Sequence, residues 1–97
     1  MRKEELILSS LIYNEDYSRK ILPFLKEEYF DNFVDREVYK YIDDHIKQYN
    51  SLPTKVSLKL YAEHVNNLNE EQFKQINGFI DSLTNNNGDS EEWLIDQ

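Results

Sequence analysis

Ninety-seven residues, 39% of them hydrophobic and 13% aromatic, are enough for one domain with its own core and too apolar for a disordered chain. The absence of cysteine excludes a disulfide scaffold and any cysteine-ligated zinc or iron–sulfur site. The net charge of −8 is uneven: residues 1–60 carry 10 basic and 11 acidic side chains, residues 61–97 only Lys74 against eight acids, and such a field repels phosphate and argues against a direct nucleic-acid grip.

Residues 3–13 read as the first helix, with Ile7 and Leu11, and Leu8 and Ile12, paired at i,i+4 and Leu6 widening the apolar arc. Ser9 and Ser10 are small enough to admit a neighbouring backbone. Asn14-Glu15-Asp16 interrupts the pattern and starts a short second helix with Tyr17, Ile21 and Leu22 inward, which Pro23 ends. Lys26 to Phe30 reads as one more turn, bringing Tyr29 and Phe30 to the core.

The longest periodic segment follows. Asp35 is a candidate N-cap, and Val38, Ile42, His45, Ile46 and Tyr49 recur at three- and four-residue spacing, with Tyr39 on the rim of the stripe. Asn50-Ser51 supplies the stop, and Pro53 forbids simple continuation. Thr54 then caps a fourth helix that runs to about Asn66. Leu58, Tyr61, Ala62 and Val65 define one face of it, while Val56 and Leu60 lie opposite. Either this helix is buried on two sides or Val56 and Leu60 face a partner. Asn69-Glu70-Glu71-Gln72 is a capping-box pattern, followed by Phe73, Ile76, Phe79, Ile80 and Leu83 on one arc. Residues 84–88 read as a loop. Asp89-Ser90-Glu91-Glu92 reads as a fresh helix start carrying Trp93 and Leu94. Strand alternation is missing throughout, so the expected fold class is all-α: a bundle of five to six short helices, with a head domain over residues 1–88 and a linking helix beginning at 89–97.

The reactive residue types do not converge on a catalytic pattern. Gly78 and Gly88 stand alone, which leaves no phosphate-cradling loop. His45 and His64 are the only imidazoles; the first is expected as a hydrogen-bonded core histidine and the second at the surface. Asp43 and Asp44 point about 100° apart on a helix and cannot share a substrate. The Asn85–Asn87 run with Asp89 lacks the alternating ligands of a calcium loop. No catalytic, cofactor or metal residue is therefore assigned within the chain. The residues expected to meet a partner are Val56, Leu60, Tyr13, Tyr41 and Trp93. The longest apolar run, Leu6-Ile7-Leu8, is too short to span a membrane, and the N-terminus lacks the pattern of a secretory signal.

The stretch Leu8-Ser9-Ser10-Leu11-Ile12-Tyr13-Asn14 resembles the opening of the N-terminal domain of DnaB-type hexameric replicative DNA helicases, with Ser9 where bacterial members usually carry glycine. Glu28-Tyr29-Phe30, the helix with Tyr39 and Ile42, the Ser51-Leu52-Pro53 turn, Leu58 and Trp93-Leu94 look similar too, most of all to the helicases of T-even-like phages. Phe33-Val34-Asp35 departs from the bacterial members. The resemblance implies that the parent protein is a ring-shaped helicase in the cytoplasm, the host's if phage-encoded, that unwinds duplex DNA 5′–3′ at the replication fork with ATP and magnesium. This chain would be its non-catalytic head, serving ring assembly, in a hexamer, and primase docking, with the ATPase parts beyond Gln97. No family active-site residue maps onto it. The alternative is a stand-alone acidic helical adaptor that binds a basic partner, which the charge of residues 61–97 suggests.

Overall fold

Helix α1 runs Lys3–Tyr13, as its i,i+4 pairs predict. In the computed structural model, which describes residues 2–65 and 67–83, it is followed by α2 (Glu15–Ile21), α3 (Phe33–Tyr49), α4 (Lys55–His64) and α5 (Glu70–Ser82). Two single 3-10 turns, Leu22–Phe24 and Glu27–Tyr29, link α2 to α3. Among the described residues the secondary structure is helical throughout, and the class is all-α. The expected loop at 84–88 and the linking helix at 89–97 lie outside the described residues.

Local chemistry sets most of the boundaries. The Asn14 side chain accepts the Tyr17 N–H at 3.0 Å and so starts α2 one residue after α1 stops. Pro23 sits in the first turn of the following 3-10 segment, where its missing N–H costs nothing. Thr54 caps α4 in a reciprocal box with Ser57, and Asn69 caps α5 in one with Gln72. Asn50 ends α3 in the left-handed conformation (φ 52°), which asparagine tolerates better than branched residues do.

The start of α3 differs from the sequence-based expectation. Asn32, rather than Asp35, is the N-cap: its Oδ1 accepts from the Val34 and Asp35 N–H groups at 2.8 and 3.4 Å. Asp35 lies in the first turn, 1% exposed, and its two carboxylate oxygens accept from Arg2 Nη1 and Nη2 at 2.8 and 2.9 Å. The guanidinium also lies over the Phe79 ring, 5.8 Å from its centroid. The residue before α1 thus joins the start of α3 to the last turns of α5.

Leu8 and Leu11 of α1, Tyr17 of α2, Val38 and Ile42 of α3, Leu58 and Ala62 of α4, and Ile76 and Ile80 of α5 build a single core. Helix α3 is its axis and packs against α1, α4, α5 and the turn at Glu27–Tyr29. Because several elements surround it, α3 buries more than the predicted stripe. Tyr39 and Tyr41 are both buried, whereas Tyr49, counted in the stripe, projects from the last turn and is exposed. The turn before α3 delivers one aromatic, not two. Phe30 is buried and stacks on Tyr39 at 5.1 Å, while Tyr29 is exposed. The Tyr39 hydroxyl donates to the Leu25 carbonyl at 2.9 Å and holds this connection against α3.

Candidate partner-binding surface

A shallow groove of about 340 Å³ runs between the C-terminal end of α3 and α4. From α3 come His45, Gln48 and Tyr49; from α4 come Ser57, Leu60, Tyr61 and His64. The i,i+3 and i,i+4 spacing of each set follows from helix geometry, which stacks such positions on one face. Helix α4 therefore has two uses. Leu58 and Ala62 enter the core, and the face carrying Ser57, Leu60, Tyr61 and His64 borders the groove.

The groove walls are mainly rings. His45 lies 4.8 Å from Tyr49 and 6.1 Å from Tyr61, edge-on to the latter, and Tyr61 stacks on Tyr41 at 5.9 Å. Tyr41 forms the buried end of this series and Tyr49 the exposed end. His64 Nδ1 lies 2.7 Å from the Leu60 carbonyl oxygen, a hydrogen bond back to the preceding turn that holds the ring at the groove's edge. His45 Nδ1 is buried without a hydrogen-bond partner, contrary to the expected hydrogen-bonded core histidine. Its ring is held by packing against Tyr49 and Tyr61 instead.

Charges of both signs lie on the two helices beside the groove. Asp44 and Glu63, each adjacent in sequence to one of the two histidines, are exposed and have no ion-pair partner among the described residues. Asp44 is close enough to act on the groove: burial first, then the charges of Tyr49 and Asp44, raise the Tyr61 phenol above its ordinary value. The neighbouring lysines are already engaged, Lys47 with Asp43 at 2.9 Å and Lys59 with Asp81. Lys55 Nζ also donates to the Asp81 carbonyl at 2.9 Å, tying the start of α4 to the end of α5.

Of the residues expected to meet a partner, Leu60 lines the groove and is 49% exposed. Val56, one turn earlier on α4, is 69% exposed and lies beside the groove rather than in it. Both therefore face solvent, so this side of α4 is not buried among the described residues. Tyr13 is partly exposed at the end of α1, on a separate element. Tyr41 is not a surface residue: it is 4% exposed, with its hydroxyl 3.4 Å from the Glu37 carboxylate. Trp93 lies outside the described residues. Sequence reasoning missed Tyr49 and the pairing of His45 with His64. The available signal was that His64 shares a face with Leu60 at i,i+4 and that Tyr49 ends its helix, where cover from neighbours runs out.

No family model matches the chain, and no solved structure matches it significantly. The DnaB-like replicative helicase of Enterobacteria phage T4 is 29% identical to it over 91 residues. That alignment takes in 94% of this chain and 19% of the helicase, so the chain spans about a fifth of the length of the curated relative it matches. Among the described residues no helix is long and apolar enough to cross a membrane. The resemblance carried by Leu8–Asn14 thus extends along nearly the whole chain, which is similar to a portion of a DnaB-like replicative helicase.

Proposed function

We propose that this chain is the non-catalytic N-terminal domain of a replicative helicase and that it serves ring assembly and primase docking. The observation that carries the reading is the similarity to the phage T4 helicase over 94% of the chain. The parent would be an ATP-dependent ring, probed first as a hexamer, and its ATP and magnesium would be held by sequence outside these 97 residues. Two further observations support a docking rather than a chemical role. The groove between α3 and α4 is lined mainly by rings and Leu60, and Val56 and Leu60 are large apolar residues left at the surface of a helix whose other face is in the core.

The test is deletion of residues 1–97 from the parent helicase, followed by sedimentation in the presence of nucleotide and by a primase-stimulation assay. Loss of ring assembly, of the primase response or of both is expected, with ATP hydrolysis retained. A ring that forms and answers primase as before would refute the reading. A finer test is to charge the surface pair, Val56→Glu with Leu60→Glu. This should weaken partner binding without unfolding the domain.

The concentration of acidic residues beyond position 60 favours a second reading, an acidic helical adaptor for a basic protein. It predicts binding that weakens steeply between 0.05 and about 0.5 M salt, roughly as the Debye length shrinks. Salt-insensitive binding through the apolar face would count against it.

A further inference from the structure

We infer that the groove between α3 and α4 seats the apolar anchor of a basic amphipathic helix belonging to a different protein. The inference rests on the docking reading above and specifies the chemistry of the partner. The walls provide the apolar half of the recognition. Tyr49 and Leu60, both exposed, line the groove from its two helices together with Tyr61 and His45, so a leucine- or phenylalanine-sized side chain finds rings and methyl groups there, with Gln48 and Ser57 as the polar part of the lining. An anchor of this kind is the usual centre of a helix-in-groove contact.

Charge selects the occupant. Asp44 acts on Tyr61 in the groove and has no ion-pair partner among the described residues, while nearby Lys47 and Lys59 are paired with Asp43 and Asp81. A helix with lysines or arginines flanking its apolar stripe would pair with Asp44. A second copy of this chain is a poor occupant, because each copy carries −8 and a symmetric contact would bring like charges together. The chain's own residues 89–97 are equally unsuitable by composition, since Trp93 and Leu94 stand among Asp89, Glu91, Glu92 and Asp96.

His45 and His64 are the only histidines of the chain, and both line the groove. Their ring protons therefore serve as local reporters of occupancy by NMR. The probe is a synthetic helical peptide of about 16 residues with leucines at i, i+4, i+7 and i+11 and lysines elsewhere. One control replaces its lysines by glutamate, and a second keeps the composition but scatters the leucines around the helix. With the 97-residue chain at pH 7.5, the leucine–lysine helix is expected to shift both histidine signals saturably. The glutamate and scattered peptides should do so at least about tenfold more weakly.

Leu60→Glu should reduce the affinity about tenfold or more with unchanged circular dichroism, whereas Val56→Glu, beside the groove, should change it less than threefold. Asp44→Lys should weaken the preference for the basic peptide about threefold or more. Equal binding of the glutamate peptide, failure of the basic helix to shift the histidines, or indifference to Leu60→Glu would overturn the inference. So would histidine shifts that grow with protein concentration alone, which would make a second copy the occupant. If the peptide fails while charging Val56 and Leu60 still impairs partner binding in the parent helicase, the docking function stands and this groove is not its seat.

Discussion

Replacing Arg2 by Met leaves the Asp35 carboxylate 1% exposed and without the two hydrogen bonds that now satisfy it. Breaking a fully buried ion pair by removing one partner costs roughly 3–5 kcal/mol. Two features lower that figure here. The Arg2 side chain is 45% exposed, so water can follow where the guanidinium leaves. Asp35 also lies in the first turn of α3, where free N–H groups favour a negative charge by roughly 0.3–1 kcal/mol. The expected loss is therefore about 2 kcal/mol, which for a domain of this size lowers Tm by about 10 °C.

The assay is urea unfolding followed by circular dichroism at 222 nm, run on Arg2→Met, Asp35→Asn and the double variant. The double variant should be less destabilised than the sum of the singles by about 1 kcal/mol or more, because removing both partners leaves no stranded charge. The loss in Arg2→Met should persist in about 0.5 M salt, since the carboxylate is buried, whereas surface pairs such as Arg19 with Glu15 should fade. A loss below about 0.5 kcal/mol for Arg2→Met, or additive single effects, would refute the claim that this pair fastens α1 to α3.

Stability should fall above about pH 10. Burial is the first cause that raises the phenols of Tyr17, Tyr39 and Tyr41 above their ordinary value, and for Tyr41 the Glu37 carboxylate adds to it. The folded chain therefore holds these protons to higher pH than the unfolded chain does. The associated stability is complete below the unfolded value and is lost as pH rises through the folded one. Absorbance at 295 nm should show these three tyrosines ionising only as the helical signal disappears; ionisation with the helices intact would contradict it. Asn32→Ala should cost about 1 kcal/mol in the same urea assay. An unchanged midpoint would return the N-cap of α3 to Asp35. Ile42→Ala, at a position with no exposure on the axial helix, should cost roughly 2–5 kcal/mol. A midpoint within error of the parent chain would show that the core is not centred on α3.

The elements legible in advance are those whose causes lie within a few residues. The Asn69–Gln72 box, the Thr54 cap, the Asn50 stop and the bounds of α1 were all readable because a cap or a period acts over one or two turns. The similarity along the chain was legible for the same reason, as a pattern of apolar positions and turns. What was misread depended on distant partners. Asn32 and Asp35 are both good caps three residues apart, and Arg2, 33 positions away from Asp35, decides between them by taking the carboxylate.

By itself, then, the sequence determined the helical class, the helix order and one side of each helix, because hydrogen bonding and periodicity are local. Only the tertiary structure decided how many sides of α3 are covered, and hence that Tyr41 is buried and Tyr49 exposed. It alone brought His45 and His64, 19 positions apart, into one groove beside Leu60. A helical stripe states that a face needs cover; which neighbours supply it, and where their cover ends, is settled by how whole helices fit together in space.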